Sequence, residues 1–374
     1  MSPHTPLLRR WLPNSLPVLI AGAALLACAP KKQPGTTQPG EVATDEDDTL
    51  PERPPIERSA ELMAGGQQAA ALKVLDDAIV ATPQDPELHY ARGIVLEQLA
   101  RPQDAVAAWQ TAVKLKPEFY PAHNGIGAIQ LDAGQTEAAV ASFQAAIAAR
   151  PDFADAHYNL GRALLVLGQP DQARAALEAA NRLAPEDVDV LLALTDLHRK
   201  AGRLDDALLT IKVAAQRAPE DAEIRRTFGH VLMEKDDFAA AQVEFTAALQ
   251  KKPDDIDAKL GLARALIKQS KAEEALVPLA DLAVRVPDQA IVWSEWGAAL
   301  AKLGRLDGPE GALVKLDRAL QIKPDLSSAH IRKIGALADS KQCKPAREAM
   351  KAFAARKPKS EAQAQAQTAL ARCK

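Results

Sequence analysis

Residues 154–187 read ADAHYNLGRALLVLGQPDQARAALEAANRLAPED, and the spacing inside this stretch returns along most of the chain. Leu160, Gly161 and Leu164 fall on one face of a helix. The turn Leu167-Gly168-Gln169 follows, then Ala173, Leu177 and Ala180 form a second stripe, and Pro185 closes it. Two helices with small residues facing each other can approach closely, Gly161 toward Ala173, while leucines fill the space around them. Pro185 cannot continue a helical ladder, and Glu186-Asp187 place negative charge where the next helix begins.

Working outward, prolines stand at 83, 117, 151, 185, 219, 253 and 287, 34 residues apart, then at 324 and 358 after steps of 37 and 34. An alanine precedes each by 12 residues, from Ala71 through Ala105, Ala139, Ala173, Ala207, Ala241, Ala275 and Ala312 to Ala346. Small residues recur further upstream at Gly93, Gly127, Gly161, Gly229, Ala263 and Gly297. The turns Ala133-Gly134-Gln135, Leu167-Gly168-Gln169, Ala201-Gly202-Arg203 and Leu303-Gly304-Arg305 supply a left-handed cap after the first helix of each pair.

A 34-residue period with bulky-x2-apolar-Gly-x2-bulky, then Ala-x3-bulky, then Pro resembles the tetratricopeptide repeat. His157, Leu160, Gly161, Leu164, Ala173, Leu177, Ala180 and Pro185 stand in its positions, as do Trp293, Trp296, Gly297, Leu300, Ala312, Leu316, Ala319 and Pro324. The resemblance implies an all-α, right-handed superhelical α-solenoid of about nine helix pairs plus a C-terminal capping helix. Counting from the prolines gives units 52–85, 86–119, 120–153, 154–187, 188–221, 222–255, 256–289, 290–326 and 327–360, with a cap at 361–374. Some units depart from the pattern. Arg58 and Ser59 replace an apolar residue and a glycine in the first, which predicts a polar or frayed opening helix. Thr195 replaces the glycine of the fifth, and Ile334-Gly335 shifts it in the ninth. Three extra residues around Leu306–Glu310 lengthen the turn of the eighth.

The N-terminus has a different character. Residues 1–27 carry Arg9 and Arg10, no acid, and the apolar run Leu16–Ala27, too short for the roughly 20 residues that span a bilayer. This is the layout of a signal peptide. Its end, Leu25-Leu26-Ala27-Cys28, resembles the bacterial lipobox, which implies a lipid anchor on Cys28; secretion with an incidental cysteine is the alternative. Arg9-Arg10-Trp11-Leu12 also faintly resembles a twin-arginine signal. Ala29 after the cysteine implies, by resemblance to enterobacterial lipoproteins, the outer membrane facing the periplasm. Residues 28–55, rich in Pro, Gly, Thr and acid, predict a disordered tether reaching some 30 Å. The solenoid then occupies 56–374.

Composition narrows function. Of 374 residues 47% are apolar, so the chain is not a disordered polymer; three cysteines do not make a disulfide-built miniprotein; and a net charge of −3 argues against nucleic-acid binding. The chain lacks His-Glu-x-x-His, Gly-x-Ser-x-Gly, Cys-x-x-Cys and the phosphate-cradling glycine loop, so no enzyme activity and no cofactor are expected. His89, His123, His157 and His330 share one repeat position. Leu191, Arg225, Lys259 and Trp293 occupy it elsewhere, and residues one repeat apart cannot chelate one ion, so no metal is expected. Cys343 and Cys373 are expected to form a disulfide stapling the cap in an oxidising periplasm.

The resemblance places the first helix of each unit on a concave wall. Carried over by position, the partner-binding residues are Tyr90, Ile94, Asn124, Ala128, Tyr158, Arg162, Leu192, Asp196, Arg226, His230, Leu260 and Arg264. The early wall is more apolar, with Leu131 among its residues, and the middle is charged, with Arg199 and Lys200. The expected function is a membrane-anchored periplasmic scaffold that binds protein or peptide partners and organises a cell-envelope complex, in secretion, pilus, polysaccharide-export or peptidoglycan machinery. An enzyme or enzyme regulator with a composite site, and a cytosolic adaptor, are the other readings.

Overall fold

The computed structural model describes residues 54–373; the expected signal peptide, Cys28 and nearly all of the tether lie outside them. The described residues form nineteen helices and no strand. They follow in pairs: α1 Pro55–Ala64 and α2 Gln68–Ala81; α3 Pro86–Gln98 and α4 Pro102–Leu115; α5 Tyr120–Asp132 and α6 Thr136–Ala149; α7 Ala154–Val166 and α8 Pro170–Leu183; α9 Val188–Lys200 and α10 Leu204–Arg217. Then come α11 Ala222–Glu234 and α12 Phe238–Lys251; α13 Ile256–Lys268 and α14 Ala272–Arg285; α15 Ala290–Lys302 and α16 Ala312–Ile322; α17 Ser327–Asp339 and α18 Cys343–Ala354; and last α19 Ser360–Leu370. Packing divides the chain into two units, one ending at Ala173 and the other beginning at Arg174. In the first, α1 packs on α2, α3 on α4 and α5 on α6, and each second helix packs on the first helix of the next pair. In the second, the same alternation runs from α9 to α18, and α19 lies on α17 and α18.

The repeated prolines stand two residues beyond the second helices, at Pro83, Pro117, Pro151, Pro185, Pro219, Pro253, Pro287 and Pro324. The acids after them act as caps. Asp85, Asp187, Asp221 and Asp255 each accept a backbone N–H from the first turn of the next helix, at 2.8–3.1 Å, satisfying donors that have no helical partner. The turn after each first helix takes a left-handed corner. Glycine holds it at 66, 134, 168, 202 and 304, and Ala100, Asp236, Ser270 and Lys341 adopt the same corner with φ of 56–63°.

The small residue of the first helix makes room for a large one from the second. Trp109 of α4, fully buried, fits between Gly93 of α3 and Gly125 of α5, where an added Cβ would lie 2.2 and 2.9 Å from its ring. Phe245 of α12 lies in the same way between Gly229 and Gly261. Where glycine is missing, another device serves. Ser59 is small enough to be buried in α1, which is helical from Pro55. Thr195, fully buried, donates to the Leu191 carbonyl and pairs with Thr210 Oγ1 at 2.8 Å. Ile334 enters the core against Phe353 beneath α19.

Cys343, at the start of α18, is bonded to Cys373 beyond α19, with Cα atoms 5.4 Å apart, and Arg372 pairs with Asp339 of α17 at 2.7 Å. Among the described residues no helix is long and apolar enough to cross a membrane.

Candidate partner-binding surface

The shared histidine position has a structural task. Nε2 of His89, His123, His157 and His330 lies 2.8–2.9 Å from the carbonyl of the proline six residues upstream. Arg225 Nε and Trp293 Nε1 donate to the matching carbonyls of Pro219 and Pro287, both at 2.9 Å. The position therefore favours a side-chain N–H that braces the corner between pairs, a narrower requirement than bulk alone. Two residues are exceptions: Leu191 has no N–H to give, and Lys259 bonds Asp281 of α14 instead. Among the described residues no group of three His, Cys, Asp or Glu is placed to hold a metal.

In the first unit the expected wall positions lie on α3, α5 and α7. Asn159 of α7 donates to Asn124 of α5 at 3.1 Å, both buried, so the two helices are joined by an amide pair. Tyr158 stacks with Arg162 at 5.7 Å, and Ile94 and Ala128 are half-buried. Tyr90 corrects the expectation of an open groove side chain. It is 4% exposed, edge-on to Phe119 at 5.3 Å, because the start of the next pair covers it. Leu260 in the second unit is buried for the same reason, in the cluster containing Val292. Asn124 is buried too, with its carbonyl oxygen already engaged by Asn159.

In the second unit the first helices of successive pairs are joined by ion pairs. Asp196 of α9 accepts from Arg199 at 2.8 Å and Lys200 at 2.5 Å, and Arg199 reaches Glu234 of α11 at 2.8 Å. Burial alone would raise the Asp196 pKa, but these two cations hold it below the usual carboxylate range. Arg226 of α11 pairs with Asp255 at 3.2 Å, and Arg264 of α13 with Glu295 of α15 at 2.7 Å. His230, edge-on to Phe245 at 5.0 Å, has its pKa pushed down to about 4 by burial and by Arg199, so its imidazole is neutral at pH 7. Leu192 is half-buried on α9.

Sequence reasoning missed the centre of this network. Glu295, 3% exposed, is held between Arg264 and Arg332, the latter at 2.7 Å and also donating to buried Ser294 at 2.7 Å. A single acid inside the apolar stretch Ala290–Leu300 was the available signal. It also missed Glu97, near the end of α3, and Asp132, the last residue of α5. Burial pushes the Glu97 pKa up to about 7, with Asp132 adding repulsion; burial raises Asp132 as well, which Arg162 partly opposes. A wall of aromatic, amide and charged side chains, supported from behind by packed second helices, can grip a peptide or helix of another protein.

The family model described as the cilia and flagella-associated protein 70 C-terminal domain matches residues 57–283. Among solved structures, pilF of Pseudomonas aeruginosa is similar with a TM-score of 0.51 and 19% identity, over 55% of this chain and 93% of that one. PilW, described as a widely conserved type IV pilus biogenesis factor, gives 0.50 and 20% over 55% of this chain and 95% of its own. The Cut9-Hcn1 hetero-tetramer of the APC/C gives 0.50 and 18% over 76% of this chain and 55% of that chain. These likenesses concern the fold. No curated protein matches the sequence. With alternating small and large residues building paired helices, and a family model matching more than half of the chain, the protein is an α-solenoid of the tetratricopeptide-repeat family, in the branch described by the cilia and flagella-associated protein 70 C-terminal domain.

Proposed function

We propose that the protein is a membrane-anchored scaffold on the periplasmic side of a bacterial envelope, recruiting protein partners along its inner walls to organise an envelope complex. A tetratricopeptide protein is a scaffold for protein interactions, and this fold typically serves that role without catalysis. The observation that carries partner binding is the inner wall itself, with Tyr158 and Arg162 in the first unit and the Arg199–Glu234 and Arg264–Glu295–Arg332 chains in the second. The location rests on sequence, in Arg9-Arg10, the apolar run and Leu25-Leu26-Ala27-Cys28. The bond between Cys343 and Cys373 supports it, because disulfides persist in oxidising compartments. Acylation of Cys28 would supply the anchor.

The test is a crosslinked pull-down from envelope membranes, comparing the native protein with Cys28→Ser and with Tyr158→Ala/Arg162→Ala. Envelope proteins captured by the anchored form and lost with Cys28→Ser are the expected result, with the groove variant weakening capture at unchanged helicity. Equal capture of cytosolic proteins by the native and Cys28→Ser forms would refute the envelope reading.

A further inference from the structure

Leu209, Val243, Val277 and Val314 occupy one repeat position in four successive pairs of the second unit, on α10, α12, α14 and α16. Each stands two residues after the buried alanine of its helix, about 200° round the helical wheel from it, and so points away from the first helices. The four are 46–75% exposed. Lone apolar side chains on a surface are ordinary, but these recur at one position in adjacent pairs. Charge is tolerated there, since exposed Lys73 and Glu348 hold the position in the first and ninth pairs, and exposed Ala107, Ala141 and Ala175 hold it in the second to fourth. Valine forms helix less readily than alanine or lysine, so helix formation does not account for the branched residues.

The row ends at a groove. A cavity of about 380 Å³ beside Val314 is lined by Trp293, Lys315, Asp317, Arg318 and Gln321. Trp293 gives its N–H to the Pro287 carbonyl at 2.9 Å and stacks on Trp296 at 5.6 Å, so what it offers the groove is a fixed apolar ring. Charge borders the row unevenly. Three or four residues before it stand Asp205, Asp206, Glu273, Glu274 and Glu310, with no cation among them. Three or four residues after it Lys212 and Arg318 balance Asp281 and Asp317, and the exposed amides Gln216, Gln250 and Gln321 follow. Lys235, Arg305 and Lys315 answer Asp205, Glu273 and Glu310. Asp206 and Glu274, both exposed, have no cation in ion-pair reach among the described residues.

We propose that this row seats an amphipathic helix of a partner protein, its apolar face on Leu209, Val243, Val277 and Val314 and its basic flank toward Asp206 and Glu274. The uneven border selects a basic flank over an acidic one. Area favours a single helix over a second copy of this chain. A Val or Leu side chain carries about 60–120 Å² of apolar surface, so the row together with exposed Val284 presents about 200–400 Å². A stable dimer buries about 800 Å² on each partner. Spacing agrees with a helix as well. Successive second helices stand no closer than about one helix diameter, 10–12 Å, and a helix rises about 10.5 Å in seven residues. Side chains at every seventh position of a helix of about 22 residues therefore meet the four in turn, and the one at Val314 enters the groove against Trp293. The surface lies on second helices, apart from Tyr158 and Arg162 on the first helix α7, and so goes beyond the function proposed above.

The test uses the full chain and a fluorescein-labelled helical peptide of that length, followed by fluorescence anisotropy. It carries leucine at every seventh position, lysine along one flank, and alanine and glutamine elsewhere. One control peptide has glutamate for lysine, and another has the same leucines distributed round the helix. The first peptide is expected to bind at least tenfold more tightly than either control. Val243→Gln/Val277→Gln should weaken it at least tenfold, whereas Val80→Gln/Val166→Gln, exposed valines off the row, should leave it unchanged. Asp206→Asn/Glu274→Gln should reduce the preference for lysine over glutamate. All these side chains are exposed, so the variants should fold, and circular dichroism verifies this. Equal binding of the two leucine arrangements, or binding that survives Val243→Gln/Val277→Gln, overturns the proposal. So does a native dimer in sedimentation equilibrium that Val243→Gln/Val277→Gln dissociates, which would give the row to a second copy. Each of these results leaves the scaffold reading to its own test, the capture weakened by Tyr158→Ala/Arg162→Ala.

Discussion

Replacing Gly93 by alanine pits two effects of opposite sign against each other. Helix propensity alone makes Gly→Ala stabilising by about 1 kcal/mol in a helix interior. In α3, however, the new Cβ would lie 2.2 Å from Trp109 Nε1 and 2.5 Å from Cδ1, far inside contact distance. The indole cannot retreat freely, because its other side meets Gly125 and its N–H donates to the Tyr90 carbonyl at 3.1 Å. Overpacking of about 1–3 kcal/mol and a lost buried hydrogen bond of about 1 kcal/mol outweigh the propensity gain, leaving a net loss of about 2 kcal/mol. Trp109→Leu alone should cost about 3 kcal/mol through the space it leaves. In that background Gly93→Ala no longer meets a ring, so the two changes should couple by at least about 1 kcal/mol. Hydrogen exchange read on peptides from α3 and α4 is the suitable assay, since repeat arrays open locally as well as globally. Additivity within about 0.5 kcal/mol, or a stabilising Gly93→Ala, would refute the account of Trp109 as a wedge needing both glycines.

Three further outcomes are expected. Glu97→Gln should leave stability at pH 5 nearly unchanged and raise it at pH 8. The folded-state pKa, pushed from 4.5 to about 7, means stability is full at low pH and is lost as pH rises through that window; the ceiling of about 3 kcal/mol falls to about 1–2 with solvent screening, and urea midpoints at the two pH values check it. Reducing the bond between Cys343 and Cys373, 30 residues apart, removes a loop constraint of about 3–4 kcal/mol, so α19 amides should lose about a hundredfold or more of their exchange protection while α9–α14 keep theirs. Arg332→Ala leaves Glu295 buried with Arg264 alone and Ser294 without its donor; a loss of about 2–3 kcal/mol is expected by the same exchange measurement on α15 and α17, and a loss below about 0.5 kcal/mol would show the pair to be solvated.

The helix pairs were legible because proline, alanine and glycine mark fixed points of a period, and each mark has a local cause: a chain break, a close approach, a left-handed corner. What escaped was whatever depends on a partner elsewhere in the chain. Thr195 reads as a lost glycine until Thr210, 15 residues away on α10, supplies a hydroxyl to bond it. Position in the repeat does not give exposure: Tyr90 and Leu260 are covered because large neighbours stand on the next pair. Glu295 lies 31 residues from Arg264 and 37 from Arg332, and only the stacking of first helices joins them.

The braces between pairs bear on the order in which the chain folds. Each His, Arg or Trp closes its corner within six residues of the proline it binds, the Trp109 wedge bonds back 19 residues to Tyr90, and a hydrogen bond between neighbouring pairs such as Arg332 to Ser294 spans 38 residues. Low contact order of this kind favours rapid folding, because little loop entropy is lost before a contact forms. A chain so built need not be complete to begin: as it emerges N-terminus first from a ribosome or a translocation channel, each pair has its partners once the next has appeared. The closure of α19 must wait until Cys373 has emerged to meet Cys343.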